Sequence, residues 1–184
     1  MSANQYGPQL GQALMEAGIT QLSFSLDAHV SPESVSAYKN GRAVAPPDIK
    51  SKSVLVTDNP FLAMSAMLES AAGTGPVILD GERMEINRHT VLDQTKFEMQ
   101  QLLKVTEVAE QRLMRIAPGA LSQQERQDVE ALVQEAMDVV TAAMNLVAVL
   151  CREYKISWIK HWTLHHSKLA KNGLLKMING GKGK

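Results

Sequence analysis

The sequence predicts a mainly α-helical chain, and three observations predict it. Aromatic residues make up only 4% of the 184 positions while Met reaches 10, which suits helices with aliphatic and Met cores better than a large β-sandwich. Apolar residues recur at alternating steps of three and four through most of the chain. Helix start and stop signals, Ser-Pro, Ser-x-x-Glu, Asn-Gly and Pro-Gly, fall between those periodic runs. The expected organisation is a five-helix unit over 1–70, a linker with a short β-hairpin over 71–89, and a long-helix hairpin or bundle with a basic tail over 90–184. At 45% hydrophobic and 21% charged, the composition excludes collagen-like, mucin-like and disordered classes.

The elements follow in order. Tyr6, Leu10, Ala13, Leu14 and Ala17 keep helical spacing, and Gly18 is a C-terminal stop. Thr20 is placed to N-cap a second helix whose Ile19, Phe24, Leu26 and Val30 face inward. Ser31-Pro32 combines an N-cap residue with Pro at the first helical position, a start signal for the helix PESVSAYK, which Asn40-Gly41 ends. Val35 and Tyr38 anchor it, leaving Glu33, Ser34, Ala37 and Lys39 outward. Pro46-Pro47 breaks the chain before two further helical stretches, DIKSKSVLV and NPFLAMSAMLESA.

Gly18, Ile19, Thr20, Gln21, Phe24, Val30, Ser31, Val35, Ser36, Tyr38, Gly41 and Pro46 stand at the spacings of a known pattern. Over about a third of its length the chain resembles the lambda-repressor-like, Cro/CI-type helix-turn-helix family. It departs from that family at Leu14, Ser25, His29 and Lys39, where Arg, Ala, Gly and Glu are usual. The resemblance implies double-stranded DNA as partner. It implies that Gln21 meets a phosphate or base edge, that Ser31, Glu33, Ser34 and Ala37 face the major groove, and that Asn40 and Arg42 touch phosphates beyond it. Lys39 in place of Glu adds a cation near that phosphate track. The chemistry agrees, because a helix fits the major groove, amides and hydroxyls read base edges, and cations neutralise phosphates. For Glu33 two readings stand side by side: an acceptor for a cytosine amino group, or a first-turn acid that favours the helix dipole.

Asp80-Gly81, flanked by VIL and ERMEI, is a two-residue hairpin signal. A helix-turn-helix head, such a hairpin and a helical tail together are also similar to regulators carried by integrated phages. From Thr90 the residues Leu92, Thr95, Met99, Leu102, Thr106, Ala109, Leu113 and Ile116 form one seam. Val129, Val133, Ala136, Val140, Ala143, Val147 and Leu150 form another. Pro118-Gly119 separates the two helices, Ser122 to Glu125 is a capping box, and the short turn makes the helices antiparallel neighbours. Leu103, Val105, Leu132, Val139 and Leu146 widen the apolar face, which a third helix over 157–178 or a second subunit must cover. Leu92, Met99, Leu102, Leu113, Val129, Val140 and Val147 are the expected oligomerisation residues.

Little else points to chemistry. The sequence contains no phosphate-binding Gly-rich loop, nucleophile elbow or dinucleotide fingerprint, so no enzyme, cofactor or metal is expected. His161, His165 and His166 lack a nearby Cys or acid to complete a zinc site. Cys151, the single cysteine, lies in an apolar helical run and is read as a buried structural thiol. A lone cysteine, an N-terminus without a signal-peptide pattern and no uninterrupted apolar run of membrane length point to the cytoplasm, without a membrane partner.

The formal net charge is zero, yet it is a cancellation. Residues 1–70 carry four basic residues against six acids, 71–150 seven against twelve, and 151–184 eight against Glu153 alone. Lys39, Arg42, Lys50 and Lys52 concentrate in 39–52, opposed only by Asp48. For the basic C-terminal segment two readings stand: Lys and His beside Trp hold phosphates, a membrane surface or an acidic partner, or, the favoured one, the segment is a solvated face balancing the acidic helices beside it. Two functions follow: a sequence-specific DNA-binding regulator, a repressor acting as a dimer or larger oligomer, and a protein-interaction module that keeps the scaffold and binds a protein through its helical tail.

Overall fold

Five short helices form the first half of the chain: α1 (Tyr6–Glu16), α2 (Gln21–Asp27), α3 (Pro32–Lys39), α4 (Pro47–Thr57) and α5 (Pro60–Ser70). The computed structural model describes residues 6–113 and 117–176. Tyr6, Leu10, Ala13 and Leu14 of α1 meet Phe24, Val35, Ile49 and Leu62 in one core. A Cβ on Gly7 would lie 2.5 Å from the Tyr38 carbonyl oxygen, so glycine there lets α1 seat directly against the end of α3. Gly18, at φ 67°, ends α1 in the left-handed region that glycine tolerates. Leu26 corrects an expectation: it is 69% exposed. Seven-residue α2 turns Phe24 and Ser25 inward, and Leu26, two positions on, lies round the other side.

The second half contains α6 (Arg88–Leu113), a 3₁₀ turn at Pro118–Ala120, α7 (Gln123–Tyr154) and α8 (Trp158–Lys171). α6 and α7 pack side by side and antiparallel. At their base Arg88 donates from its backbone N and its Nη1 to the two oxygens of Glu153, at 3.1 and 3.0 Å. Further along, the Thr95 hydroxyl donates to the Ala142 carbonyl. The Ser122–Glu125 capping box starts α7. α5 joins the two halves, because Leu62 and Ala66 belong to the first core while Phe61, Ala63 and Met64 meet Val91, Ala148, Val149, Cys151 and Trp158 in a second.

Three expectations need correction. The covered positions between α6 and α7 are Val91, Thr95, Glu98, Leu102, Val105 and Ala109 against Leu132, Val139, Ala142, Leu146 and Val149, one position away from much of the expected seam. Leu92, Met99, Val133, Val140 and Val147 are exposed instead, while Leu102 and Val129 are half-buried. The Leu113 side chain and Ile116 lie outside the described residues.

The β-hairpin at Asp80-Gly81 is not formed, since residues 71–87 contain no strand. Met84 N donates to Gly81 O, making a turn, but the flanking backbone pairs with a side chain instead of an opposite strand. Asn145 Oδ1 accepts from Leu79 N at 3.0 Å, and its Nδ2 donates to Val77 O at 2.8 Å.

The third correction concerns α8, which does not cover the hairpin. Lys155, left-handed at φ 54°, ends α7, and Ser157 caps α8. Trp158, Ile159 and Trp162 pack on the second core, while residues 163–168 are all exposed. α8 ends at Lys171, and Ile178 lies outside the described residues. No ion pair joins an α8 lysine to a hairpin carboxylate among the described residues, so the expected intramolecular balance is not made through such contacts. α7 is long and apolar enough to cross a membrane by length and mean hydropathy, although it carries Glu135 and Asp138.

Candidate nucleic-acid interface

Local hydrogen bonds set the start of each helix. Thr20 Oγ1 accepts from Ser23 N at 3.0 Å, and Ser31 Oγ accepts from Ser34 N at 3.1 Å. Each cap satisfies a donor that a helix start otherwise leaves unpaired. Between them the chain reverses through His29, left-handed at φ 54°, where a side chain is less at ease than glycine. Val30 N then donates to Ser25 O at 3.0 Å.

The expected site residues fall into two hydrogen-bonded groups beside an outward strip of α3. In the first, Gln21 Nε2 donates to the Pro32 carbonyl at 2.8 Å, and Lys39 Nζ donates to Gln21 Oε1 at 3.4 Å. Gln21 therefore ties the start of α2 to both ends of α3. In the second, Asn40 Nδ2 donates to Ser36 O at 2.8 Å, and Arg42 Nη2 donates to Ser36 Oγ at 3.0 Å. Along α3, Ser31 and Glu33 are exposed and Ser34 and Ala37 are half-buried. Ser31 Oγ and Ser34 Oγ lie 3.1 Å apart. The outward strip thus offers a carboxylate, two hydroxyls and a methyl group, with two cations beside it. Ser36, which in the sequence is only one position of the family pattern, anchors the second group, and its place one turn before Asn40 is the signal for that role.

The basic patch is smaller than the count of cations suggests. Lys50 is buried, 2.6 Å from Glu69 and above the Tyr6 ring. Lys52 pairs with Asp27 at 2.9 Å. Among the described residues Lys39 and Arg42 have no carboxylate within ion-pair distance, so the charge available to an anion is theirs. Apolar side chains border this region as well: Leu22 and Leu26 on α2 and Val44 after α3 are exposed.

Other clusters offer different chemistry. Cys151 is buried, and burial pushes its thiol up, away from the thiolate a nucleophile needs. His165 meets Trp162 edge-on and His166 lies tilted against it, with ring centres 5.6 and 5.7 Å from it. Glu98, Glu135 and Asp138 bring carboxylate oxygens within 4.8 Å of one another, and Gln94 donates to Glu98. An all-oxygen set of this kind suits hard cations. An apolar groove of about 530 Å³ runs beside Pro76, Val133, Met137 and Val140. No protein-family model matches the chain, and neither a curated protein nor a solved structure matches it.

Proposed function

We propose that α2, its four-residue turn and α3 form a helix-turn-helix unit of the lambda-repressor-like, Cro/CI-type, and that the chain is a sequence-specific DNA-binding transcriptional regulator. It acts in the cytoplasm as a repressor and as a dimer or larger oligomer, and is of the kind carried by integrated phages. The observation that carries this reading is the arrangement on α3. Glu33, Ser34 and Ala37 lie along one helix, and Lys39 with Gln21 and Arg42 with Asn40 and Ser36 gather on the rows beside them. Such a helix presents base-reading groups to a major groove while flanking cations track the phosphates. With Lys39 and Arg42 the only cations of residues 39–52 outside ion pairs among the described residues, non-specific affinity is expected to be low and specific contacts to carry more of the binding.

The test is selection of bound DNA from a random duplex pool, followed by gel shift of the winner. The expected result is a palindromic or repeated site with half-sites about one helical turn apart. No enrichment even at low salt would overturn the reading.

Leu22, Leu26 and Val44 favour a second reading, in which this half is a scaffold for protein binding. Exposed apolar side chains beside α3 suit a protein surface better than a phosphate backbone. In that case Leu22→Ser with Leu26→Ser abolishes function and leaves any DNA binding untouched.

A further inference from the structure

We propose that two copies of this chain pair reciprocally, the basic α8 of each lying along the apolar stripe of the other's α7. The proposal rests on the dimeric part of the reading above and names the surfaces that make the dimer. Val133, Met137, Val140 and Val147 recur along α7 at steps of four, three and seven, and all four are exposed. They stand apart from the row that meets α6, so the hairpin's own pairing leaves them uncovered. The stripe borders the apolar groove next to Pro76.

Charge identifies the occupant. From Gln123 to Leu150, α7 carries Glu125, Asp128, Glu130, Glu135 and Asp138 against Arg126 alone. α8 has Lys160, Lys168 and Lys171 with three His and no acid. Within one chain these opposite charges do not meet: α8 is fastened by Trp158 in the second core and by Ile159 N donating to Asp58 Oδ1 at 2.9 Å, and beyond Trp162 it is largely exposed. Lengths agree as well. Beyond Trp162 the nine residues to Lys171 run about 14 Å at a helical rise of 1.5 Å per residue, enough to cover the span from Val133 to Val140, about 11 Å. Leu164, Leu174 and Leu175, exposed on α8 and the turn after it, supply apolar groups for the stripe. A two-fold axis makes the contact twice, each copy giving one basic helix and receiving one.

The experiment is sedimentation velocity of the purified full chain at micromolar concentration, without DNA, on two charge-reversed variants. One carries Lys160→Glu, Lys168→Glu and Lys171→Glu; the other carries Glu130→Lys, Glu135→Lys and Asp138→Lys. The unchanged chain is expected to be a dimer that weakens with salt. Each variant alone is expected to self-associate about tenfold or more weakly, with helicity by circular dichroism retained. Mixed together, they are expected to regain a heterodimer, because both reciprocal contacts then join opposite charges. A monomeric unchanged chain overturns both this proposal and the dimeric reading. A dimer that survives reversal of α8, or variants that do not recombine on mixing, overturns the proposal alone. Were the α8 reversal to remove DNA binding and leave the dimer intact, α8 would belong to nucleic acid and the proposal would fall.

Discussion

Asn145 holds Leu79 in place: its Oδ1 accepts from Leu79 N at 3.0 Å while its amide donates to the carbonyls of Val77 and Thr141 at 2.8 and 2.9 Å. The side chain is fully buried on α7, so the segment before Asp80 is fixed by one amide where a strand ladder would otherwise serve. Asn145→Ala leaves a buried donor and acceptor unmet. The expected cost is about 2–4 kcal/mol, measured as a lower urea midpoint. Asn145→Asp keeps the acceptor for Leu79 and loses both donations, so it should also destabilise.

That contact explains why part of the fold could not be read from sequence. Thr20, Ser31-Pro32 and the Ser122–Glu125 box act within four residues of themselves, and all three cap helices where expected. The hairpin failed because its hydrogen bonds are met by a residue more than sixty positions away. The seam shifted because α7 is apolar along two adjacent rows, Leu132–Val139–Leu146 and Val133–Val140–Val147, and only the tertiary arrangement decides which row meets α6. At the candidate interface, the residue types on α3 were legible. The removal of Lys50 and Lys52 by Glu69 and Asp27 was not, since those partners come from distant helices.

Lys50 and Glu69 are unequally exposed, at 9% and 38% of their side chains. Glu69→Gln therefore strands an ammonium that is already out of water, whereas Lys50→Met removes the charge and keeps the volume. The first is expected to lose about 1–3 kcal/mol and the second to stay within about 1 kcal/mol of the parent. Thermal or urea unfolding of the two variants side by side checks the order.

Tyr6 makes stability depend on alkaline pH. Ser53 Oγ donates its single proton to the Lys50 carbonyl at 2.7 Å, so the Tyr6 hydroxyl, 2.8 Å away, is the donor to Ser53. Burial pushes the Tyr6 phenol up from 10.0 to about 12. Folding therefore favours the protonated form: its contribution is complete below pH 10 and is lost as pH rises from 10 through about 12. The total is about 2–3 kcal/mol. Comparing urea unfolding of the parent and Tyr6→Phe between these limits isolates it, because the variant lacks the titrating group; at neutral pH Tyr6→Phe should cost about 1 kcal/mol for the lost hydrogen bond.

His29 stands at φ 54° with its side chain exposed. His29→Gly removes the steric cost of that backbone and gives back some through a freer unfolded chain. A gain of about 0.5–1 kcal/mol is expected, seen as a higher melting temperature. A loss would mean that the imidazole makes a contact that outweighs the strain.

Lys39, Arg42 and Glu33 separate charge from readout. Lys39→Ala and Arg42→Ala should each weaken binding to every duplex by a similar factor and lower the salt slope by about 1, as loss of one phosphate contact does. Arg42 also bonds Ser36, so Arg42→Gln, which keeps a donor for that hydroxyl without the charge, controls for a change in the loop. Glu33→Ala should behave differently. If its exposed carboxylate accepts from a cytosine amino group, the variant loses about 1–3 kcal/mol of preference at one base pair and keeps its salt slope. If it only favours the helix dipole, sequence preference is unchanged and stability falls by about 0.3–1 kcal/mol. Repeating the random-pool selection with Glu33→Ala, alongside its unfolding midpoint, decides between the two.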